Sequence, residues 1–508
     1  MVQGIKMGKI YQQEINKFRS MTPNIRLANS NECALSCHFD IFRNGLLSPN
    51  RDYIALTDGN EKITRFIYAK NDDAGYSIYG MGDALGYTGG TTGNTAIYEK
   101  TIGTATLDWT DLFKTAKVKE SSVFFEYKDI AYGWHGGTHL WSLTLTGTQT
   151  LSETYKAIAY TNVAQPIHHK GDDCAYFFED NNVHRLNDTT FDGGTLTPVL
   201  VLPTNMKIVG GASYGIYLAI VCSPIEPGTT NSVMYLWDRD SSLTTISAKI
   251  DLGFGEAVHV SESENGGIWI TQQVNASTAM GSYNNSIAIK YYNGSLYSFE
   301  LPNGTETEYF SEIKLFGNPQ EDRNTFYFPA RFITRLAAET RNVIFATRWI
   351  SGRIEIVADQ EITGITANQN INGIFSLRGH WLISYNTAAK NLVTYSSSVY
   401  PTATYESPIV LGENVSLQKK LIGITVDTSP LPIAGQVLLY YRKDEETAWT
   451  LIFTNTTDNS ISHSAVNIES SGATLPQFKE IQFKIESKGG AEITKIKFKY
   501  EELETNPY

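Results

Sequence analysis

Four places in the sequence bring together residue types that do chemistry. Gly211-Ala-Ser213-Tyr-Gly215 has the G-x-S-x-G spacing of a nucleophile elbow, in which a tight turn lifts a serine hydroxyl to the start of a helix. Apolar runs flank it on both sides, at 206–209 and 216–222, so strand–turn–strand is the expected geometry and Ser213 has no helix to open. His135 and His139 flank Gly-Gly in Trp134-His-Gly-Gly-Thr-His. Two imidazoles can share a metal, but the glutamate of H-E-x-x-H is missing and no third ligand is nearby in sequence. His168 and His169 are adjacent, so on a strand they point to opposite faces. Asp238-Arg-Asp240-Ser-Ser offers carboxylates to calcium without the central glycine and later glutamate of a calcium loop. Each of these reads more simply as a hairpin tip or a polar turn. No catalytic, cofactor-binding or metal residue is assigned, no cofactor is expected, and the chain is read as no enzyme.

Two weaker signals concern sugars. Ser263-Glu-Asn-Gly-Gly-Ile-Trp269 is similar to the aspartate box of sialidases, with Asn265 in place of the aspartate and the tryptophan one residue early. A glycosidase would also need carboxylates of tuned acidity. The many Tyr and Trp side chains could stack on sugars or on protein neighbours. In a repeated sheet architecture, packing between neighbouring sheets is the simpler use.

The elements that position these residues are strands. Period-two alternation is clear in 122–127, 140–146, 287–292, 343–349 and 495–500, and β-branched and aromatic residues fill these runs. Turn signals separate them at Asp58-Gly-Asn, His135-Gly-Gly, Asp192-Gly-Gly, Asn265-Gly-Gly, Asn293-Gly, Pro302-Asn-Gly and Asn372-Gly. Short helical turns are expected only at 9–18 and 153–158. The strands fall into units beginning near Ile63 and then spanning about 122–160, 166–205, 208–252, 256–301, 308–360 and 363–402. Units of roughly 40–50 residues with about four strands each are the signature of propeller blades. Six to eight blades fit, and seven is the count these units give. After Tyr400 the strands lengthen and the period changes, as in an antiparallel β-sandwich. The expected fold is therefore all-β: an N-terminal arm with the first strands (1–55), a β-propeller-like domain (56–403) and a C-terminal β-sandwich (404–508).

Composition narrows the role. The 508 residues are 41% hydrophobic and 19% charged, with a formal net charge of −12. Such a chain is too apolar to be disordered and too acidic to be a reader of nucleic-acid sequence. The opening MVQGIKMGKIYQQEINKF holds no apolar core of a secretion signal, and no apolar run approaches the ~20 residues of a spanning helix. Assembly in the cytoplasm is expected, without a membrane-spanning segment. Four cysteines are too few for a disulfide framework and are expected as reduced, buried side chains.

Two motifs carry a resemblance. Cys37-His-Phe-Asp-Ile-Phe-Arg-Asn-Gly-Leu-Leu-Ser-Pro-Asn-Arg-Asp52 resembles the opening of virion structural proteins of tailed bacteriophages, with Ile41 through Asp52 matching the phrase best. Val437-Leu-Leu-Tyr-Tyr-Arg-Lys-Asp and Phe478-Lys-Glu-Ile-Gln-Phe-Lys-Ile look like the terminal sandwich of phage tail proteins. The plan is similar to the tail hub or nozzle proteins of short-tailed phages. That resemblance implies a structural part of the tail, forming a ring (expected sixfold) around the DNA exit channel and involved in genome retention and ejection. Its partners would be other copies of itself and other tail proteins such as adaptor, portal-proximal or fibre proteins. DNA would pass transiently and without specificity, and the place would be the virion tail, assembled in the host cytoplasm. The −12 charge suits such passage, since it does not hold phosphates. Two alternatives stay open: a peripheral receptor-binding module that recognises glycans, and a propeller glycosidase.

Overall fold

A computed structural model describes the chain from Lys9 to Leu503, except for 23–31, 56–62, 84–93, 102–109, 275–285, 302–309, 363–370, 386–391, 467–474 and shorter stretches between. No helix occurs among the described residues. Within the stretches 9–18 and 153–158, expected as helical turns, the structure has instead the strands Ile10–Ile15 and Leu151–Ala157, with residues 17 and 158 outside the described residues. Pairing decides this. Ile10–Ile15 runs antiparallel to Ile493–Glu502 with Tyr11 stacked on Tyr500 at 5.3 Å, and such tertiary contacts override a weak helical pattern.

Seven blades of about four antiparallel strands follow one another along the chain, so the protein is a β-propeller-like molecule joined to a β-sandwich. Blades 1, 2, 5 and 7 are separate four-stranded sheets, whereas blades 3 and 4 share one nine-stranded sheet through a parallel contact of Gln165 with Gly210. Blade 1 runs from Ile63 to Val118, blade 2 from Val123 to Ala157 and blade 3 from Val163 to Phe191. Blade 4 covers Met206 to Asp251, blade 5 Glu256 to Leu301 and blade 6 Phe310 to Glu361. Blade 7 takes three strands from Ile371 to Tyr395 and its fourth, Tyr53–Ala55, from the N-terminal part of the chain, with Val393 opposite Ala55. The first strand of blade 7 also packs on the first strand of blade 1, which closes the ring. Closure removes the open sheet edges that a row of blades would leave at its ends.

Aromatic side chains fill the space between blades. Trp141 lies fully buried against Phe124 at 5.8 Å in blade 2. Trp237 meets Tyr176 across blades 3 and 4 at 6.0 Å, edge to face. Trp269 of blade 5 stacks on Phe326 of blade 6 at 5.6 Å, with only 6° between the planes. These geometries are the favoured ones for aromatic pairs and account for much of the Tyr, Trp and Phe content.

The sandwich has two sheets. One orders Ile10–Ile15, Ile493–Glu502, Lys419–Thr428 and Ser462–Val466; the other contains Leu35–Cys37, Ala403–Glu406, Ile481–Lys488, Gln436–Lys443 and Thr450–Asn455. In the strand Ile493–Glu502, Ile496, Phe498 and Tyr500 are buried while Lys495, Lys497 and Lys499 face outward, the alternation expected of a half-buried strand. Leu35–Cys37 does more than join the second sheet. It pairs antiparallel with Ala403–Glu406 and meets the last strand of blade 6 in parallel, Cys37 opposite Ala358. Blade 6 and this half of the sandwich are thereby one continuous ten-stranded sheet.

Candidate functional sites

Ser213 lies in strand Met206–Tyr214, directly opposite Leu218 of the following strand, and the chain turns at Gly215 with φ +58°. The turn joins two strands, so the serine is not lifted onto a helix. The other glycine of the motif has a packing role. A Cβ on Gly211 would stand 2.6 Å from Cζ of Phe178, so only glycine lets blades 3 and 4 approach this closely.

The adjacent histidines divide as the strand period requires. His168 is 41% exposed and pairs through Nε2 with Asp173 at 2.8 Å. His169 is wholly buried, and burial together with Arg239 lowers its pKa, so it is neutral. Its Nε2–H donates to the carbonyl of Tyr217 at 3.1 Å, while Nδ1 accepts from the Gly171 amide and from Arg239, each at 3.1 Å. Asp172 closes the group, accepting from the Tyr176 hydroxyl at 2.5 Å and pairing with Arg239 at 3.1 Å. Burial works against the charge on Asp172, but these partners hold its carboxyl below the ordinary range. Four side chains from two blades are linked in this way, a pin between blades, although Asp172 Oδ1, 3.2 Å from His169 Nδ1, is buried without a hydrogen-bond donor of its own. The segment Asp238–Asp240 supplies the arginine. Asp238 accepts the backbone N–H of Asp240 at 3.1 Å, and Arg239, at φ 71°, reaches inward to His169. His139 opens a strand of blade 2, and its sequence partner His135 lies outside the described residues.

The segment similar to an aspartate box forms the turn between the first two strands of blade 5. Ser263 Oγ and the Glu264 amide both donate to Glu321 of blade 6 at 3.0 Å, and Glu264 in turn accepts the Asn324 amide at 2.9 Å. Burial pushes the Glu321 carboxyl up to about 7. Among the described residues no arginine lies within ion-pair distance of Glu321 or Glu264. Trp269 points into the stack with Phe326 rather than to solvent. The segment is a latch between blades 5 and 6.

One polar cluster includes Cys37 and His38, which open the motif 37–52, but nothing in the sequence signals that they form a site. It lies where the N-terminal segment crosses the last strand of blade 6. Cys37, His38 and Glu361 each bring one ligand-type atom within 4.8 Å of the others. His38 Nδ1 lies 2.8 Å from Gln360 Oε1, and Cys37 Sγ lies 3.8 Å from Glu361 Oε2. Arg341 Nη1 approaches Glu361 at 3.7 Å while its Nη2 holds Glu339 at 2.8 Å. Beside them Asn50 donates to Asp359 at 2.9 Å, and burial, with Asp40 nearby, pushes the Asp359 carboxyl up to about 7. A cleft of about 590 Å³, lined by His38, Arg341, Glu361 and Thr404 among others, opens onto the cluster. All four cysteines are free and buried, and burial raises the thiols of Cys33, Cys37 and Cys222. The adjacency of Cys37 and His38 was visible in the sequence; the glutamate 324 residues away was not.

No protein-family model matches the chain, and no curated protein matches it. Solved structures similar to it include YCF48 bound to D1 peptide, at 11% identity and a TM-score of 0.41, covering 69% of this chain and 97% of that one. Hydrazine synthase of Kuenenia stuttgartiensis is similar at 9% identity and a TM-score of 0.43, covering 67% and 97%. The computationally designed Ika8 protein is similar at 10% identity and a TM-score of 0.37, covering 68% and 100%. At these values the likenesses carry no argument about function.

Proposed function

We propose that the chain is a structural, non-enzymatic part of a bacteriophage tail, a hub or nozzle ring around the DNA exit path. The observation that carries this reading is the place of the segment 37–52, whose residues bear the resemblance to tail proteins. Phe39, Ile41 and Leu47 are buried in the core shared by blade 6 and the sandwich. Leu47 bonds to Ile493 of the sandwich through backbone bonds of 3.1 Å in both directions, and Asn50 bonds to Asp359 of blade 6. A segment whose described residues knit two β modules together suits a scaffold more than a binding loop. The net charge of −12 suits a wall that DNA passes without being held. Two exposed isoleucines, Ile433 (87%) and Ile461 (62%), stand in neighbouring turns at one end of the sandwich and offer apolar contact to an adjacent copy. In this reading the partners are further copies, expected six to a ring, and other tail proteins, in a virion tail assembled in the host cytoplasm. Sedimentation and negative-stain imaging of the purified chain test it: closed rings that Ile433→Asp dissociates support the reading, and isolated trimers overturn it.

A second reading, a peripheral glycan-recognising tail module, is favoured by one observation. Tyr68 and Tyr76 of blade 1 stack at 5.1 Å while 37% and 49% exposed, a flat aromatic face of the kind sugars pack on. Saturable oligosaccharide binding that Tyr76→Ala abolishes would favour this module over the ring.

A further inference from the structure

We propose that Cys37, His38 and Glu361 form a binding site for a divalent metal of the zinc class, with water from the adjoining cleft completing the coordination. The donor set is a thiolate sulfur, an imidazole nitrogen and a carboxylate oxygen, which together suit zinc and cobalt and not calcium or magnesium. Their three atoms already lie within 4.8 Å of one another. Ligands spaced around a metal at about 2.0–2.3 Å stand roughly 3.3–3.8 Å apart, so the site closes by about an ångström of side-chain movement.

The backbone supplies the second observation. Neighbouring residues of a strand point to opposite faces, which would separate Cys37 from His38. His38 has φ +60°, the left-handed region that favours glycine or asparagine, and this turn between strands Leu35–Cys37 and Phe39–Asp40 brings the imidazole round to the thiol. A non-glycine residue held there is strained, and such strain concentrates at functional sites.

The hydrogen bonds also set the imidazole for a metal. The Gln360 amide oxygen accepts from His38 Nδ1 at 2.8 Å, so the proton resides on Nδ1 and Nε2 carries the lone pair. Holding the far ring nitrogen in this way is the usual support of a metal-bound histidine. Nε2 faces the Glu361 amide at 3.4 Å, too long for a strong bond. In the metal-free chain Arg341 stands at 3.7 Å from Glu361 and neutralises it. An incoming cation replaces that contact, and Arg341 keeps its shorter pair with Glu339. Metal binding deprotonates Cys37, forming the metal–sulfur bond and releasing the proton to solvent. The consequence is a pin: the metal ties Leu35–Cys37, the strand shared by both modules, to the outer strand of blade 6. This inference does not depend on the tail reading.

Cobalt(II) titration of the purified, chelator-treated full-length chain tests it. One equivalent is expected to give thiolate-to-cobalt charge-transfer absorption together with visible d–d bands, and zinc should displace both. Cys37→Ser should remove the charge-transfer band, and His38→Gln and Glu361→Gln should each weaken binding by about 10-fold or more. Arg341→Gln, which removes the competing cation, should tighten binding. Zinc should also raise the melting temperature of the wild type and not of Cys37→Ser. Absence of saturable binding, or an unchanged spectrum in Cys37→Ser, overturns the proposal. Should Cys37→Ser fail to fold, Glu361→Gln, altering a side chain 25% exposed, decides alone: undiminished binding there overturns it.

Discussion

Trp269→Ala is the change that separates packing from sugar binding most cleanly. Trp269 occupies the position of the tryptophan in the segment similar to an aspartate box, yet it is 1% exposed, stacked on Phe326 at 5.6 Å and tilted onto Tyr291 at 4.5 Å. A buried aromatic side chain removes about 150–250 Å² from water, worth roughly 4–6 kcal/mol at ~25 cal/mol/Å². Measured truncations of buried Trp and Phe cost about 3–5 kcal/mol, because the cavity left behind relaxes only in part. A loss of about 4 kcal/mol is therefore expected. With an unfolding entropy of ~2.1 cal/mol/K per residue, the 508-residue chain has about 1 kcal/mol/K, so the melting temperature falls by about 4 °C if the chain melts as one unit. The drop is larger if the propeller melts separately. Denaturant unfolding followed by circular dichroism, with calorimetry for the melting point, reads both. Tyr76→Ala, altering a ring 49% exposed, is the control and should cost under ~1 kcal/mol. A loss below about 1 kcal/mol for Trp269→Ala, accompanied by lost oligosaccharide binding, would refute the packing argument.

Three other outcomes are expected. Gly133→Ala places a Cβ 2.1 Å from Trp141 Cζ2, and this forced overpacking of blade 2 should destabilise the fold by about 1–3 kcal/mol or more in denaturant melts. Asp172→Asn keeps the shape but removes the charge shared by Tyr176 and Arg239, for an expected loss of about 2 kcal/mol; an unaltered melt would show that the pin is idle. His259 is buried, with Nε2 on the Gly317 carbonyl at 3.0 Å and Nδ1 on the Thr271 hydroxyl at 2.9 Å, and burial lowers its pKa from 6.5 to about 4. The unfolded chain thus binds the proton more readily, so this contribution is full above pH 6.5 and is lost as the pH falls towards 4. Relative to His259→Gln, the wild type should lose about 3 kcal/mol across that window; parallel stability profiles for the two proteins would contradict the burial argument.

The blades were legible, within a count of six to eight, because all of their strands but Tyr53–Ala55 are local in sequence. A hairpin announces itself by alternation and by turns such as Asn293-Gly, whose Gly294 does take a positive φ of 101°. The distribution of aromatics into inter-blade packing followed from the same repetition. What could not be read is whatever depends on distant partners. Nothing in Tyr53–Ala55 says that it completes a blade whose other strands lie some 340 residues later. The strand Ile10–Ile15 looked helical because its partner, Ile493–Glu502, is at the other end of the chain. The candidate site divides in the same way. Ser213, read as part of a hairpin turn, and His168 and His169, read as a hairpin tip, lie in strands Met206–Tyr214 and Val163–His169, next to the turns that their neighbours announce. The joining of Arg239 to His169 and Asp172, and of Glu361 to Cys37 and His38, required the blades to be assembled first.

The measurement that tests the proposed tail role most directly is an electron cryo-microscopy map of tailed particles, searched for density of this chain. The account predicts a closed ring of copies around the DNA exit path, with an acidic bore and with the seam of residues 37–52 buried inside each copy. Copies standing as separate trimers on the tail periphery, or a particle that lacks the chain altogether, would contradict it.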